Sequence, residues 1–184
     1  AWIKVLAESD TSTELNDVYQ RIQKKRGKLS NIMRVHSLKP GAMRAHLDLY
    51  MSVMFDQSSL RRELKEMIAV AVSQLNGCQY CVQHHSDALL HYWKNQEKTA
   101  RFREDFESVN LLPQEKMILQ YAKKLTREPQ SMVEEDVEAL KELGLDDQEI
   151  LEIALIVSYF NFVNRIASGL GVEVTDKEIK GYKY

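Results

Sequence analysis

Apolar residues recur at intervals of three and four along most of the chain, which is the spacing of helices that bury one face. Only three prolines and seven glycines interrupt this pattern. The pattern and its capping residues predict an extended start at 2–6 and helices near 13–25, 31–36, 40–55, 58–75, 79–93, 113–126, 131–144 and 146–169. We therefore predict an all-α fold.

The length and composition fit one folded domain. With 184 residues, 44% of them hydrophobic and 28% charged, the chain can bury a sizeable core and is typical of globular proteins. We predict a single domain over 1–184, in which 1–38 form an N-terminal arm with helices, 40–172 form the helical core and 173–184 form a polar surface tail.

The charge balance argues against nucleic acid and membranes as partners. Twenty-five basic residues face 27 acidic ones, the net charge is -2, and no basic run is present to neutralise phosphates. The apolar stretch 150–172 has the length of a membrane span, but Glu152, Asn164 and Arg165 interrupt it, which favours a buried helix. Because no export signal is visible, we expect a cytoplasmic protein.

Two of the predicted helices carry similar sequences. The segment 69–76 (AVAVSQLN) aligns with 154–161 (ALIVSYFN), with Ala, Val, Ser and Asn in register. The similarity fits a duplicated helical unit, and chance similarity between two buried helices explains it equally well. Cys78 and Cys81 align with Val163 and Ile166, so only the first copy carries thiols.

The candidate chemistry lies in residues 76–85 (NGCQYCVQHH), which contain both cysteines and two of the five histidines. A close pair in a chain with so little cysteine indicates redox chemistry or metal binding rather than a structural disulfide. At about 100° per residue on a helix, Cys78, Cys81 and His85 fall within about 60° and share one face. Cys78 also lies at a helix start, where free amides and the helix dipole favour a thiolate.

A base for these thiols is available on the preceding helix. Glu66 comes eleven intervening residues before Cys78, and packing of the two helices about the 76–77 corner would bring it to the cysteine face. We expect burial to raise the pKa of this glutamate toward a useful range. The alternative is a solvated glutamate within a charged patch that also contains Arg61, Arg62, Glu63 and Lys65.

Metal binding is the main chemical alternative for the same residues. Two thiolates with His85 and a fourth donor, either His84 or Glu66, would provide a zinc ligand set. Structural zinc sites usually draw ligands from two loops, whereas nearly all of these donors come from one segment. We therefore predict no metal and no other cofactor. A further alternative is a pair of small thiols packed in the core.

The spacing Glu66-x11-Cys78-x2-Cys81-x3-His85 resembles the motif of the alkylhydroperoxidase D (AhpD) core in the carboxymuconolactone decarboxylase superfamily. The segments 31–40 (NIMRVHSLKP), 44–50 (RAHLDLY) and 159–165 (YFNFVNR) resemble its branch of uncharacterised peroxidase-related proteins. This likeness covers nearly the whole chain. It implies an AhpD-like helical bundle that forms a homo-oligomer, typically a trimer or hexamer.

The resemblance also implies a thiol peroxidase activity linked to disulfide reduction. In the family mechanism Cys81 attacks the peroxide and becomes a sulfenic acid, and Cys78 donates a proton and then forms the disulfide. Glu66 and His85 relay protons, and a dithiol or a protein electron donor reduces the disulfide. Tyr80 stands where the best-studied members have histidine, which predicts a simpler relay or a different substrate, and weak peroxidase activity.

Further polar residues are candidates to support the site, because buried polar groups in apolar helices need partners. These candidates are Tyr80, His84, Asn161 and Arg165. Arg165 is also a candidate to bind a substrate anion. We interpret His36 and His46 as structural.

Two other functions stay open from the sequence. The first is a decarboxylase or isomerase of a lactone acid, in which Glu66 and His85 move protons and the cysteines are incidental. The second is a non-catalytic helical oligomer that binds a partner or a small apolar ligand and senses redox state through the cysteine pair.

Overall fold

The computed structural model describes residues 1–10, 12–175 and Glu178. This part of the chain is helical and contains no strand, which confirms the predicted all-α class. Its α-helices are α1 (Thr13–Arg26), α2 (Asn31–Arg34), α3 (Pro40–Phe55), α4 (Arg62–Leu75), α5 (Gln79–Trp93), α6 (Gln96–Glu104), α7 (Pro113–Arg127), α8 (Glu134–Glu142) and α9 (Asp147–Gly169). Short 3-10 turns lie at Glu8–Asp10, Phe106–Ser108 and Pro129–Ser131.

Local capping accounts for several helix ends that the sequence predicts. α1 begins after Ser12, whose hydroxyl accepts from the backbone N–H of Leu15, and it ends at Gly27 in the left-handed region. α9 begins after Asp146, whose carboxylate accepts from the backbone N–H of Glu149. These side chains satisfy amides that have no partner inside the helix.

The predicted starts of two helices are wrong. α4 begins at Arg62 rather than after Ser58 or Ser59, because the Ser58 hydroxyl hydrogen-bonds Glu152 instead of capping the helix. α8 begins at Glu134, because Ser131 belongs to the preceding 3-10 turn.

Helix α6 has no counterpart among the predicted helices. Of its nine residues only Thr99 and Phe102 are buried, so its apolar period is too weak to indicate a helix. The signal that was available is Asn95, whose side chain accepts from the backbone N–H of Lys98 at the helix start.

Helix α4 forms the centre of the fold. Its residues 64–73 are all buried, and it packs against α5, α7 and α9. Helix α9 is also long and apolar enough to cross a membrane, and half of its most apolar window is buried inside the protein. Its packing against α3, α4 and α7 is that of a core helix.

The two helices with similar sequences pack against each other. The aligned residues Asn76 and Asn161 are in contact, since Nδ2 of Asn76 donates to Oδ1 of Asn161 at 3.1 Å. The similar segments therefore form one packed pair at the centre of the fold. Duplication as their origin stays a prediction.

The C-terminal tail does not lie wholly on the surface. Glu178 is 4% exposed, and its Oε1 accepts from the backbone N–H of Asn31 at 2.6 Å and from the Tyr80 hydroxyl at 2.7 Å. The prediction of a surface tail over 173–184 is thus wrong at this position, because Glu178 finds buried donors. Residues 176–177 and 179–184 of that prediction lie outside the described residues.

Candidate active site

The cysteines lie at the start of α5, directly after a tight turn from α4. Gly77 forms this turn with φ of +67°, in the left-handed region that favours glycine. Asn76 fixes the turn to α9, since its Nδ2 donates to Oδ1 of Asn161 at 3.1 Å and of Asn164 at 3.0 Å. Cys78 occupies the N-cap of α5 and Cys81 its first turn, and both are 3% exposed.

Asn164 links this corner to the two thiols. It is 1% exposed, its Nδ2 donates to the Ser73 hydroxyl at 3.1 Å, and its side chain also hydrogen-bonds Cys78 and Cys81. The asparagine predicted to support the site was Asn161. Asn161 supports the corner through Asn76, whereas Asn164 reaches the sulfurs.

Glu66 and His85 meet between α4 and α5. Nδ1 of His85 lies 2.6 Å from Oε2 of Glu66, which is fully buried. The other carboxylate oxygen accepts from Nε and Nη2 of Arg62, at 2.9 Å and 2.5 Å. Arg62 in turn donates to the Met54 carbonyl and lies over the Phe55 ring. The alternative of a solvated glutamate in a charged patch is therefore wrong.

The electrostatics of Glu66 differ from the expectation. Burial alone would raise the pKa of its carboxyl, but the interactions with His85 and Arg62 outweigh it, and the pKa is lowered. An ionised carboxylate only accepts hydrogen bonds, so Nδ1 of His85 carries the hydrogen between them. In the neutral imidazole, Nε2 is then left as the proton acceptor.

The two thiols titrate as an unequal pair. The S–H of Cys81 donates to Cys78, and this hydrogen bond, with others from Ser168 and Asn164, outweighs burial and lowers the pKa of Cys78 from 9.0 to about 7. The same bond and burial raise the pKa of Cys81 well above its ordinary value. Near neutral pH the pair is therefore partly ionised, and the charge lies mainly on Cys78 at the helix start.

A cavity opens beside this cluster. Cys81, Glu66 and His85 line it, and Cys78 is not among its lining residues. Part of the remaining wall is aromatic, formed by Tyr50, Tyr80, Tyr159 and Phe160, and much of the rest is aliphatic. Of the two sulfurs, Cys81 is therefore the one placed to meet a molecule in the cavity.

Tyr80 and His84 line the same cavity but are linked to the C-terminal tail. The Tyr80 hydroxyl donates to Glu178, and its ring lies 4.6 Å from that of His84. Nε2 of His84 lies 3.6 Å from Oε1 of Glu178, and burial lowers the pKa of His84 despite this carboxylate. Sequence analysis missed Glu178, because a single acid in a polar tail carries no signal of burial.

Arg165 does not reach the cysteines. It is exposed, and its Nη1 donates to the backbone carbonyl of Asn161 at 2.6 Å and to Oδ1 of Asn161 at 2.9 Å. It is absent from the lining of the cavity, so it supports the corner only through Asn161. Among the described residues, no three His, Cys, Asp or Glu side chains converge on a point that could hold a metal ion.

These features define an AhpD-like helical fold with a cysteine pair beside a buried Glu–His pair. The crystal structure of an AhpD-core protein from Ralstonia eutropha JMP134, described as an uncharacterized peroxidase-related protein, has the same fold. The TM-score is 0.87 at 26% identity, over 97% of this chain and 94% of that one. Residues 40–124, which include Glu66, Cys78, Cys81 and His85, match the carboxymuconolactone decarboxylase family. This match and the shared fold confirm the resemblance to AhpD-core proteins.

Two further proteins are similar to this chain. The uncharacterized protein YdfG of Bacillus subtilis (strain 168) is 24% identical over 149 residues, which is 81% of this chain and all of the relative. The debrominase Bmp8, in the structure of a variant bound to 2,3,4-tribromopyrrole, shares the fold with a TM-score of 0.79 and 21% identity. That alignment covers 97% of this chain and 94% of Bmp8. The AhpD-like fold therefore occurs with more than one named activity.

Proposed function

We propose that this protein is a thiol-dependent peroxidase that reduces an organic hydroperoxide at Cys81. The observation that carries the proposal is the position of Cys81 in the cavity beside His85, whose Nδ1 is bound to Glu66 at 2.6 Å. An attacking thiol needs access to substrate and a nearby proton acceptor, and this arrangement provides both. Cys78 lies behind Cys81, where it can complete a disulfide.

The first step is the transfer of the Cys81 proton along its hydrogen bond to Cys78. The resulting Cys81 thiolate attacks the terminal peroxide oxygen, the O–O bond breaks, and an alkoxide leaves. The alkoxide takes up a proton to become the alcohol, and Cys81 is left as a sulfenic acid. The peroxide is thereby reduced by two electrons and the sulfur is oxidised by two.

The second step forms the disulfide. Cys78 attacks the sulfur of the sulfenic acid and its proton passes to Nε2 of His85. His85 then returns this proton to the leaving hydroxyl group, which departs as water. The ionised Glu66 stabilises the imidazolium that forms. An external dithiol or a dithiol protein then reduces the disulfide by thiol–disulfide exchange. Such donors are kept reduced in the cytoplasm, where we propose that the protein acts.

The position of Tyr80 supports a relay that uses His85 alone. Tyr80 replaces the histidine of the family pattern, and its hydroxyl is bound to Glu178 and to the backbone N–H of Ile32. A phenol held in this way does not accept a proton near neutral pH. We propose that peroxide reduction is accordingly slow for a thiol peroxidase.

Reductive dehalogenation is the second candidate, favoured by the aromatic wall of the cavity. A flat halogenated ring would stack on such walls. In this reaction Cys81 would take the halogen from a ring carbon, the carbon would gain a proton, and Cys78 would displace halide to form the disulfide. The fold shared with Bmp8 makes this test worthwhile.

The test is consumption of cumene hydroperoxide with dithiothreitol, measured for the parent, Cys81→Ser and Cys78→Ser. We expect turnover by the parent and none by Cys81→Ser beyond the rate without protein. Cys78→Ser should be slower than the parent, because dithiothreitol must then reduce the Cys81 sulfenic acid directly. Equal rates for Cys81→Ser and the parent would rule out the proposal. Halide release from a bromopyrrole without peroxide turnover would favour dehalogenation. If neither substrate reacts but oxidation changes oligomer size, a redox sensor is the better description.

A further inference from the structure

A buried pair formed by Tyr159 and His46 lies apart from the Glu66 and His85 pair. Nε2 of His46 is 2.8 Å from the Tyr159 hydroxyl oxygen, and the two residues are 4% and 5% exposed. Tyr159 lines the same cavity as Cys81, and its ring stacks on Tyr50 at 5.7 Å between centroids. The steps given above use neither residue of this pair.

The surroundings of His46 decide which way its hydrogen bond to Tyr159 runs. Burial, followed by the nearby His36, lowers the pKa of His46 to about 3, so its imidazole is neutral. Nδ1 of His46 is buried with no hydrogen-bond partner among the described residues. A buried N–H without an acceptor is rarer in proteins than a buried acceptor without a donor. The hydrogen therefore lies on Nε2 and is donated to the Tyr159 oxygen.

This assignment leaves the hydrogen of the Tyr159 hydroxyl free to point elsewhere. Burial raises the pKa of Tyr159 well above its ordinary value, so the phenol keeps its proton. Tyr159 lines the cavity together with Cys81, and it is near enough for a charge on Cys81 to contribute to its raised pKa. We infer that a molecule held beside Cys81 accepts a hydrogen bond from this hydroxyl.

We propose that Tyr159 is a catalytic residue that donates its hydroxyl proton to the leaving oxygen when Cys81 attacks a hydroperoxide, and that His46 positions it. The inference rests on the proposed function. Cys81 forms the S–O bond, the O–O bond breaks, and the alkoxide receives the Tyr159 proton to leave as the alcohol. The tyrosinate then takes up one proton from solvent. This proton replaces the one that Cys78 released when it ionised, so the cycle balances.

The test uses leaving groups of different basicity. An alkoxide is strongly basic and needs the proton to leave, whereas a carboxylate, whose conjugate acid has a pKa of about 4, does not. We expect Tyr159→Phe to slow the reaction of Cys81 with tert-butyl hydroperoxide about 100-fold. The reaction with peracetic acid should slow by no more than about 10-fold. Tyr121→Phe is the matched control, because Tyr121 is buried but does not line the cavity.

His46 is tested by the same pair of substrates. His46→Gln keeps an N–H donor near the position of Nε2 and should retain most of the rate, whereas His46→Leu should reproduce the leaving-group dependence of Tyr159→Phe. Equal losses with both peroxides, or no loss, in a folded Tyr159→Phe protein would overturn the inference and leave the proposed function intact. If the parent protein reduces neither peroxide, both this inference and the proposed function are overturned.

Discussion

Glu66 and His85 meet at 2.6 Å although they are 19 residues apart in the chain. The Asn76–Gly77 corner makes this contact possible, because it folds α5 back along α4. The contact fixes the hydrogen on Nδ1 of His85 and leaves Nε2 to accept a proton from a thiol. The Glu66 carboxylate therefore acts on the sulfurs through His85.

Glu66→Gln tests this role. Glutamine preserves the size of the side chain but does not stabilise an imidazolium, so we expect hydroperoxide turnover to fall about 100-fold. The measurement is the initial rate at saturating dithiol. Glu63→Gln is the matched control, since Glu63 lies on the same helix and pairs with Arg61 away from the cavity. A Glu66→Gln rate equal to that of the parent would remove the proton relay from the mechanism.

The thiol pair should show one thiolate transition near neutral pH. The pKa of Cys78 is lowered to about 7, so thiolate absorbance should rise as pH increases through this value and disappear below it. Because the pKa in the folded state is below that of the unfolded chain, the thiolate stabilises the fold above the unfolded value, and this contribution is lost as pH falls through about 7. Cys78→Ser should abolish the transition. If the thiolate transition persists in Cys78→Ser, it belongs to Cys81 instead.

Asn164→Leu should weaken the corner that presents the cysteines. The substitution leaves Asn76 and Ser73 without their bonds to this side chain, at a cost of about 1–3 kcal/mol in the free energy of unfolding. It also removes a hydrogen bond to Cys78, so the thiolate transition should move to higher pH. Urea denaturation and thiolate absorbance measure the two effects. Arg165→Ala, at an exposed position, should change the stability by no more than about 0.5 kcal/mol.

Tyr80→Phe tests the contact between α5 and the tail. The variant loses the bond to Glu178 and the acceptor for the Ile32 amide, so we expect a loss of about 1 kcal/mol and faster hydrogen exchange at Ile32. Tyr121→Phe serves as the control for removing a buried hydroxyl. Unchanged exchange at Ile32 would contradict the position of Tyr80.

We propose that the protein forms a homo-oligomer through α9. Leu151, Leu155 and Phe162 are spaced four and seven residues apart on this helix and are 58%, 43% and 44% exposed. Burying this apolar stripe against another copy would remove it from water. Light scattering of the parent should give a mass above that of one chain, and Leu155→Glu should reduce it. A monomeric parent would contradict the proposal.

The sequence predicts the helices whose burial is periodic and whose ends carry caps. α3 (Pro40–Phe55) and α5 (Gln79–Trp93) have the predicted bounds, because proline begins the first and glycine precedes the second. α6 could not be found in the same way, since its exposed face is charged and only two of its residues enter the core. The apolar period along a sequence reflects which side chains are buried. It is therefore weak in a helix that buries few side chains.

Candidate site residues that lie close together in the chain could be grouped from the sequence, whereas their partners from distant segments could not. Cys78, Cys81 and His85 share a helix face by spacing alone, and the family motif supplied Glu66. Glu178 reaches the site through tertiary packing, which no local pattern encodes. For Asn164 the sequence indicated only a polar group in an apolar helix that needs partners, and its contact with the cysteines depends on packing. The lowered pKa of Glu66 was missed for the same reason, because the position of Arg62 against its carboxylate depends on side-chain packing.

The most direct test of the account is mass spectrometry of the reduced protein after one equivalent of organic hydroperoxide. The account predicts a disulfide between Cys78 and Cys81 in the parent, a sulfenic acid on Cys81 that dimedone traps in Cys78→Ser, and no peroxide-dependent product in Cys81→Ser. A parent that keeps both thiols while the peroxide persists, or a sulfenic acid found on Cys78 in Cys81→Ser at the parental rate, would contradict it.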